Sequence, residues 1–405
     1  MILRPILSSL TRHKLTVMLL MLQVALTCGI VCNVAFMIEE RIARMSAPSG
    51  VAEDEVVLID SVQVDPHTNP QMRHLEDVAA LRAIPGVRSA VAVDAVPFNG
   101  SDWTSSLNTQ PDSDANAASA SVYNGTPGEL QTLGLNLIAG RDFLPGEYLP
   151  LDSAHDGAGL GKVSTVIVTR ALADKLFPAG NALGKSVYPF SQPARIVGIV
   201  DHLSRPGPHD AGAEDYSALF PLLPDTAEVT YVMRTAARNR KHVLEIAKAT
   251  LTRLDGNRIV RQPSTFAQLR ADYFHRDRTM VGLLLAAAVA LAFVTAVAIA
   301  GLAHFWVGQR RRTIGIRRAI GATRGDILRY FQTENFLIVS GGVVLGLLLA
   351  MMLNLILMQQ YEVPRLPVYY LPIGAAVLWL LGQLAVLGPA LRAAAVPPVV
   401  ATRSM

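Results

Sequence analysis

Few residues of this 405-residue chain are spaced as catalysis would require. Ala179-Gly-Asn-Ala-Leu-Gly-Lys185-Ser186 satisfies a relaxed phosphate-loop pattern, and Ile196-Val-Gly-Ile-Val-Asp201 imitates a strand ending in a magnesium-holding aspartate. A phosphate loop works because a helix starts at its Lys-Ser, so that backbone amides and the helix dipole hold phosphate. Pro189 follows three residues after Ser186 and opposes such a helix, and the fifteen residues between Lys185 and Asp201 leave no room for the usual crossover. The nine histidines are scattered, with no His-Glu-x-x-His, no Cys/His cluster and no Gly-x-Ser-x-Gly. Asp201-His202 and His209-Asp210 read as loop residues near prolines, and His304 as a headgroup contact. Enzymatic chemistry, a metal and a cofactor bound by this chain are therefore not expected.

A stronger signal lies in Gln309 to Leu337, QRRRTIGIRRAIGATRGDILRYFQTENFL, where seven arginines separate two long apolar runs. The elements that hold it can be read from length. Thr279 to Gln309 contains no Lys, Arg, Asp or Glu, and about 20 apolar residues already cross a bilayer core as a helix. Leu15 to Ile38, Phe336 to Met358 and Val368 to Leu391 qualify equally. The expected spans are 15–38, 279–308, 335–358 and 368–391, with a coupling segment at 309–334 and a short loop at 359–367 on the opposite side of the membrane. The first run competes with a cleavable signal peptide, but it exceeds a signal's apolar core and lacks a small-x-small site before Glu39-Glu40. Residues 1–14, with Ile2, Leu3, Ile6, Leu7 and Leu10 at helical spacing, read as a cytoplasmic amphipathic lead-in.

Charge sets the orientation. Residues 39 to 278 hold 23 Lys/Arg and 29 Asp/Glu, while the stretches beside the spans hold 13 and 3, so the net +4 splits into −6 and +10. The basic side is cytoplasmic. Both termini, including the tail 392–405, are thereby assigned inside and the 240-residue insert outside. The basic balance reflects topology, and no nucleic-acid partner is expected. Cys28 and Cys32, the only cysteines, sit one turn apart in the first span and read as small buried residues, so the outer domain has no disulfide to rely on.

Within the insert, Glu55 to Val62 reads as a strand, His74 to Ile84 as a helix and Val87 to Val96 as a second strand. A matching series, Val229 to Met233, Asn239 to Leu254 and Arg258 to Arg261, closes the insert. Residues 52–96 and 229–263 are expected to form one split, porter-like α+β subdomain. Residues 97–228 form an inserted β-rich one with strands at 162–168 and 194–200 and a polar loop at 108–121. Residues 39–51 and 264–278 continue helically from the spans as a stalk, or else are ordinary solvated helix ends. The fold class is thus a membrane protein of α+β type, with four transmembrane helices arranged one plus three and a large extracytoplasmic domain on a helical stalk.

Arg310 to Ile327 followed by Gly341-Gly-Val-Val-Leu-Gly346 resembles the loop and third span of MacB/FtsX-type ABC transporter permeases. Gly388 to Arg403 resembles the closing pattern of that family, and Leu133 to Phe143 with Val166 to Lys185 resembles its outer domain. The resemblance implies an inner-membrane, MacB-like permease subunit without a fused ATPase domain. A cytoplasmic ABC ATPase dimer holding ATP and Mg would drive it, and a second permease copy would complete a homo- or heterodimer. Motion passes to the outer domain, a mode called mechanotransmission.

The helix of Ile314, Gly315, Ile316, Arg317, Arg318, Ile320, Gly321 and Ala322 is then the piece that docks on the ATPase. Its isoleucines offer apolar contact, its glycines close approach and its arginines pairing with acidic groups; anchoring to anionic headgroups is the competing reading. Thr313 departs from the family, which commonly has an acidic residue there. Efflux of a peptide, lipopeptide, toxin or drug through a periplasmic adaptor and outer-membrane duct is the expected function. The alternatives are a lipoprotein-handling permease and an FtsX-type transducer that regulates an extracytoplasmic partner. The size of the insert favours efflux over the transducer.

Overall fold

Helix α1 runs from Lys14 to Ser46 and stops two residues short of Pro48, where the residue before proline is pushed out of helical backbone. Its buried Leu20, Val24, Cys28, Cys32 and Phe36 recur every four residues and form one inward stripe. The computed structural model describes residues 14–65, 69–101, 103–111, 117–151, 160–189, 192–207, 212–361 and 366–395. The lead-in 1–13, most of the tail 392–405 and part of the loop 359–367 lie outside the described residues, as do residues 112–116 of the expected polar loop and His209-Asp210. The chain divides into two units, Ala47–His275 and the remainder.

The first unit holds, in chain order, β1 (Val56–Val62), α2 (Pro70–Arg82), β2 (Val87–Val93), β3 (Thr104–Leu107), β4 (Ala118–Asn124), α3 (Glu129–Leu133), β5 (Leu137–Gly140) and β6 (Leu149–Pro150). It continues with β7 (Thr165–Thr169), α4 (Arg170–Leu176), β8 (Ser186–Val187), β9 (Ala194–Val200), β10 (Ser217–Phe220), β11 (Leu222–Leu223), β12 (Glu228–Thr235), α5 (Arg240–Leu254), β13 (Ile259–Val260), β14 (Ser264–Thr265) and α6 (Phe266–Tyr273).

One sheet has the order β13-β1-β12-β2, with β14 also on β1. Strand β12 is antiparallel to both β1 and β2, which makes β1 and β2 parallel with a strand from the far end of the insert between them. Two split βαβ units therefore interleave. Helices α2 and α5 bury Val78, Leu81, Val243, Ala247 and Leu251 against Val57, Ile59, Tyr231 and Met233. The second sheet, β3-β4-β10-β7-β9-β5 with β8 on β9, is drawn entirely from the segment between β2 and β12. Its core includes Val122, Val166, Val168, Leu172, Ile196 and Phe220.

The other unit joins α1 to α7 (His275–Gln309), α8 (Arg311–Ala319), α9 (Arg324–Tyr361) and α10 (Tyr370–Ala394). Among the described residues, α1, α7, α9 and α10 are long and apolar enough to cross a membrane. Small residues let them approach closely. A Cβ on Gly342 would fall 2.7 Å from Val24 Cβ, and one on Gly346 would fall 2.8 Å from the Ala25 carbonyl oxygen and closer still to Cys28. Polar side chains link the same helices: Thr27 and Thr295 hydroxyls at 2.8 Å, Asn33 Nδ2 to the Ala350 carbonyl at 3.1 Å, and Asn335 Nδ2 to the Gly382 carbonyl at 2.9 Å.

Three expectations change here. The segment 264–278 is not one continuous helix, because Ser264–Thr265 pairs with β1 and the chain breaks at Phe274 between α6 and α7. The cause is tertiary: Phe98, at a φ of 71°, gathers Phe266, Tyr273 and Phe274 around its ring at 5.3–5.9 Å. Likewise α9 begins at Arg324 rather than near residue 335, because Thr323 and Asp326 cap it well before the apolar run. The stalk read at 39–51 is helical only to Ser46.

Candidate functional site

The arginine-rich segment folds into α8 and two tight joints. At its end, the Gly321 amide bonds to the Arg318 carbonyl at 3.2 Å and the Ala322 amide to the Arg317 carbonyl at 3.0 Å. Gly321 has a φ of 106°, which glycine adopts readily. Thr323 then caps α9, donating its amide to Asp326 Oδ2 at 2.9 Å and accepting the Asp326 amide at 3.2 Å. The run Ile-Gly-Ala-Thr-Arg-Gly-Asp is therefore a helix stop followed directly by a helix start.

This geometry sorts the eight expected docking residues. Ile314 is 5% exposed and joins the buried cluster with Trp306, Val307, Ile327, Phe331 and Ala393, and Gly315 is buried beside it. Ile316 and Ile320 point the other way, 47% and 81% exposed. Gly321 is exposed and Ala322 half-buried. The arginines divide as well. Arg318 donates Nη1 to the Ala394 carbonyl at 3.1 Å, satisfying a carbonyl at the end of α10, and Arg317 lies 5.1 Å over the Tyr330 ring. Arg310 reaches Glu334 at 2.9 Å. Arg311, Arg312, Arg324 and Arg329 are exposed.

The outward face thus combines two isoleucines with a rim of cations, a surface suited to an apolar pocket edged by acidic groups. Tyr330 and Glu334, which brace the helix from α9, escaped the sequence reading. Glu334 carried a signal nonetheless, as an acidic residue beside a membrane span.

The phosphate-loop look-alike is a run of turns that ends at the first residue of a two-residue strand. Ser186–Val187 pairs with Arg195–Ala194, Lys185 Nζ lies 4.7 Å over the Phe177 ring, and Asp201 is paired with Arg170 at 3.1 Å. No helix begins at Lys185-Ser186. His202 Nδ1 faces Asp215 Oδ2 at 2.9 Å, and His304 is exposed.

Residues 16–258 match the family model of the MacB-like periplasmic core domain, and residues 285–398 match that of the FtsX-like permease C-terminal region. The pyoverdine export ATP-binding/permease protein PvdT of Pseudomonas fluorescens is 24% identical over 324 residues, covering 77% of this chain and 45% of that protein. The macrolide export ATP-binding/permease protein MacB of Bartonella henselae is 31% identical over 235 residues, covering 55% of this chain and 33% of that protein. The chain spans less than half the length of these curated relatives. The crystal structure of the periplasmic region of MacB from Actinobacillus actinomycetemcomitans aligns with 56% of this chain and 97% of its own, at 12% identity and a TM-score of 0.33.

Proposed function

Because this chain belongs to the MacB/FtsX-type family of ABC transporter permeases, we propose that it couples ATP hydrolysis in the cytoplasm to movement of its extracytoplasmic domain. The hydrolysis belongs to an ABC ATPase dimer, which holds the ATP and Mg. Two permease copies pair in the inner membrane, with termini and α8 in the cytoplasm and the large domain in the periplasm. The excess of arginine beside the spans supports that orientation.

The observation that carries the coupling role is the outward face of α8. Ile316 and Ile320 are exposed there while Ile314 anchors the same helix inside. A docking helix needs both sides, since a push on one face must be resisted and passed on by the other. Mechanotransmission of this kind suits export of a peptide, lipopeptide, toxin or drug with a periplasmic adaptor and an outer-membrane duct. The names of the relatives, which concern pyoverdine and macrolide export, support the export reading.

Affinity purification of the chain from its native membrane tests this. Recovery of an ATPase with a periplasmic adaptor is expected. Recovery of a cell-wall hydrolase in place of the adaptor would replace export with regulation, and recovery of no ATPase would contradict the coupling role.

A further inference from the structure

Glu334 is 2% exposed on α9, and both its carboxylate oxygens accept from Arg310 Nη1, at 3.1 and 2.9 Å. Glu334 lines a mostly apolar cavity whose walls also include Asn335 and Leu20, Ile299, Phe331, Ile338 and Val386, contributed by α1, α7, α9 and α10. A carboxylate in such surroundings depends on its cation, and breaking the pair is far more damaging than never having had it.

Arg310 occupies an unusual place in the backbone. With φ −102° and ψ 11° it interrupts the helical geometry between α7 and α8. The hydrogen bonds nevertheless continue through it, from its amide to the Trp306 carbonyl at 3.1 Å and from the Ile314 amide to its carbonyl at 2.9 Å. The joint can bend without rupture, and its guanidinium lies 5.7 Å over the Trp306 ring of the helix it has just left. Left to itself, a joint of this kind would absorb a displacement of α8 by bending.

We propose that Arg310 and Glu334 are positioning residues that latch this joint to α9, so that α8 and the membrane helices move together. The contacts at the far end of α8, Arg317 on Tyr330 and Arg318 on the Ala394 carbonyl, hold the helix down but do not fix the angle at which it leaves α7. The Arg310–Glu334 pair acts at the joint itself. The reason for α8 to move rests on the docking role given above; the latch is a property of the resting chain.

The test therefore uses the full chain in lipid nanodiscs with no ATPase present. Cys28 and Cys32 are replaced by alanine, and a single cysteine is placed by Ile314→Cys, at a position 5% exposed, or by Ile320→Cys, at one 81% exposed. The rate of modification by a membrane-impermeant maleimide is measured in each. With the native pair, the cysteine at 314 is protected relative to that at 320. Glu334→Gln is expected to abolish the protection at 314 while the rate at 320 stays unchanged, and the exchanged pair Arg310→Glu with Glu334→Arg is expected to restore it. Protection that survives Glu334→Gln, or that is absent with the native pair, overturns the latch. An unlatched joint leaves the docking role standing, because docking is read separately from ATPase binding at Ile320.

Discussion

Asp77 and Arg258 lie 181 residues apart in sequence and are joined by two hydrogen bonds, 2.7 and 3.0 Å, with both side chains wholly excluded from solvent. The Tyr231 hydroxyl also donates to Asp77 at 2.5 Å, and His74 Nδ1 stands 3.1 Å from that hydroxyl. The network ties α2 to the entrance of β13 and so closes the two halves of the split subdomain. Burial holds His74 below the usual histidine range. Removing one partner strands a buried charge, so Asp77→Asn or Arg258→Leu is expected to cost about 3–5 kcal/mol of stability. Thermal unfolding of the purified chain measures this, and the double change Asp77→Leu with Arg258→Met is expected to be milder than either single one.

Glu129 gives the outer domain a pH dependence. Burial, reinforced by the Asp94 carboxylate, pushes its acid up to about 8, and burial raises Asp94 to about 7. A carboxyl whose folded value exceeds its unfolded one lends stability that is complete below the ordinary glutamate range and is lost as pH climbs through about 8. The domain is therefore expected to weaken between pH 5 and 9, by on the order of a few kcal/mol. Glu129→Gln is expected to flatten that slope and to raise the melting temperature at pH 9. A slope unchanged by the substitution would contradict this, since it would mean that Glu129 binds its proton no more tightly in the fold than in the unfolded chain.

Gly346 is a point of close approach between α1 and α9, where an added side chain meets the Ala25 carbonyl and Cys28. Gly346→Leu is expected to separate the two helices, at a cost of roughly 1–3 kcal/mol or more. Maleimide labelling of Cys28, buried in the native chain, would then accelerate. Unchanged protection of Cys28 would mean that the helices part elsewhere.

The four apolar helices are legible because an uncharged run of that length has few other homes. The strands of the split subdomain are also visible locally, yet their order is not. Nothing near Val56–Val62 says that its partner is Glu228–Thr235, and only the shared core imposes that pairing. The break at Phe274 is hidden for the same reason, since it answers to Phe98, far away in sequence. At the proposed docking segment, residue type marks the region but not its faces. Ile314 and Ile320 are identical in chemistry, and the fold alone places one in the core and the other in water. Arg317 and Arg318, read as pairing groups for a partner, also make contacts inside the chain, with Tyr330 and the end of α10.

Coupling through the outward face of α8 is tested most directly by Ile320→Glu in the complex reconstituted with its co-purified ATPase. A central interface anchor is worth about 2 kcal/mol or more, roughly thirtyfold in affinity. The substitution is expected to weaken ATPase binding by at least about that factor and to abolish the permease's effect on ATP turnover, while membrane insertion and outer-domain melting stay unchanged. Full binding and unchanged turnover in the Ile320→Glu chain would contradict the account.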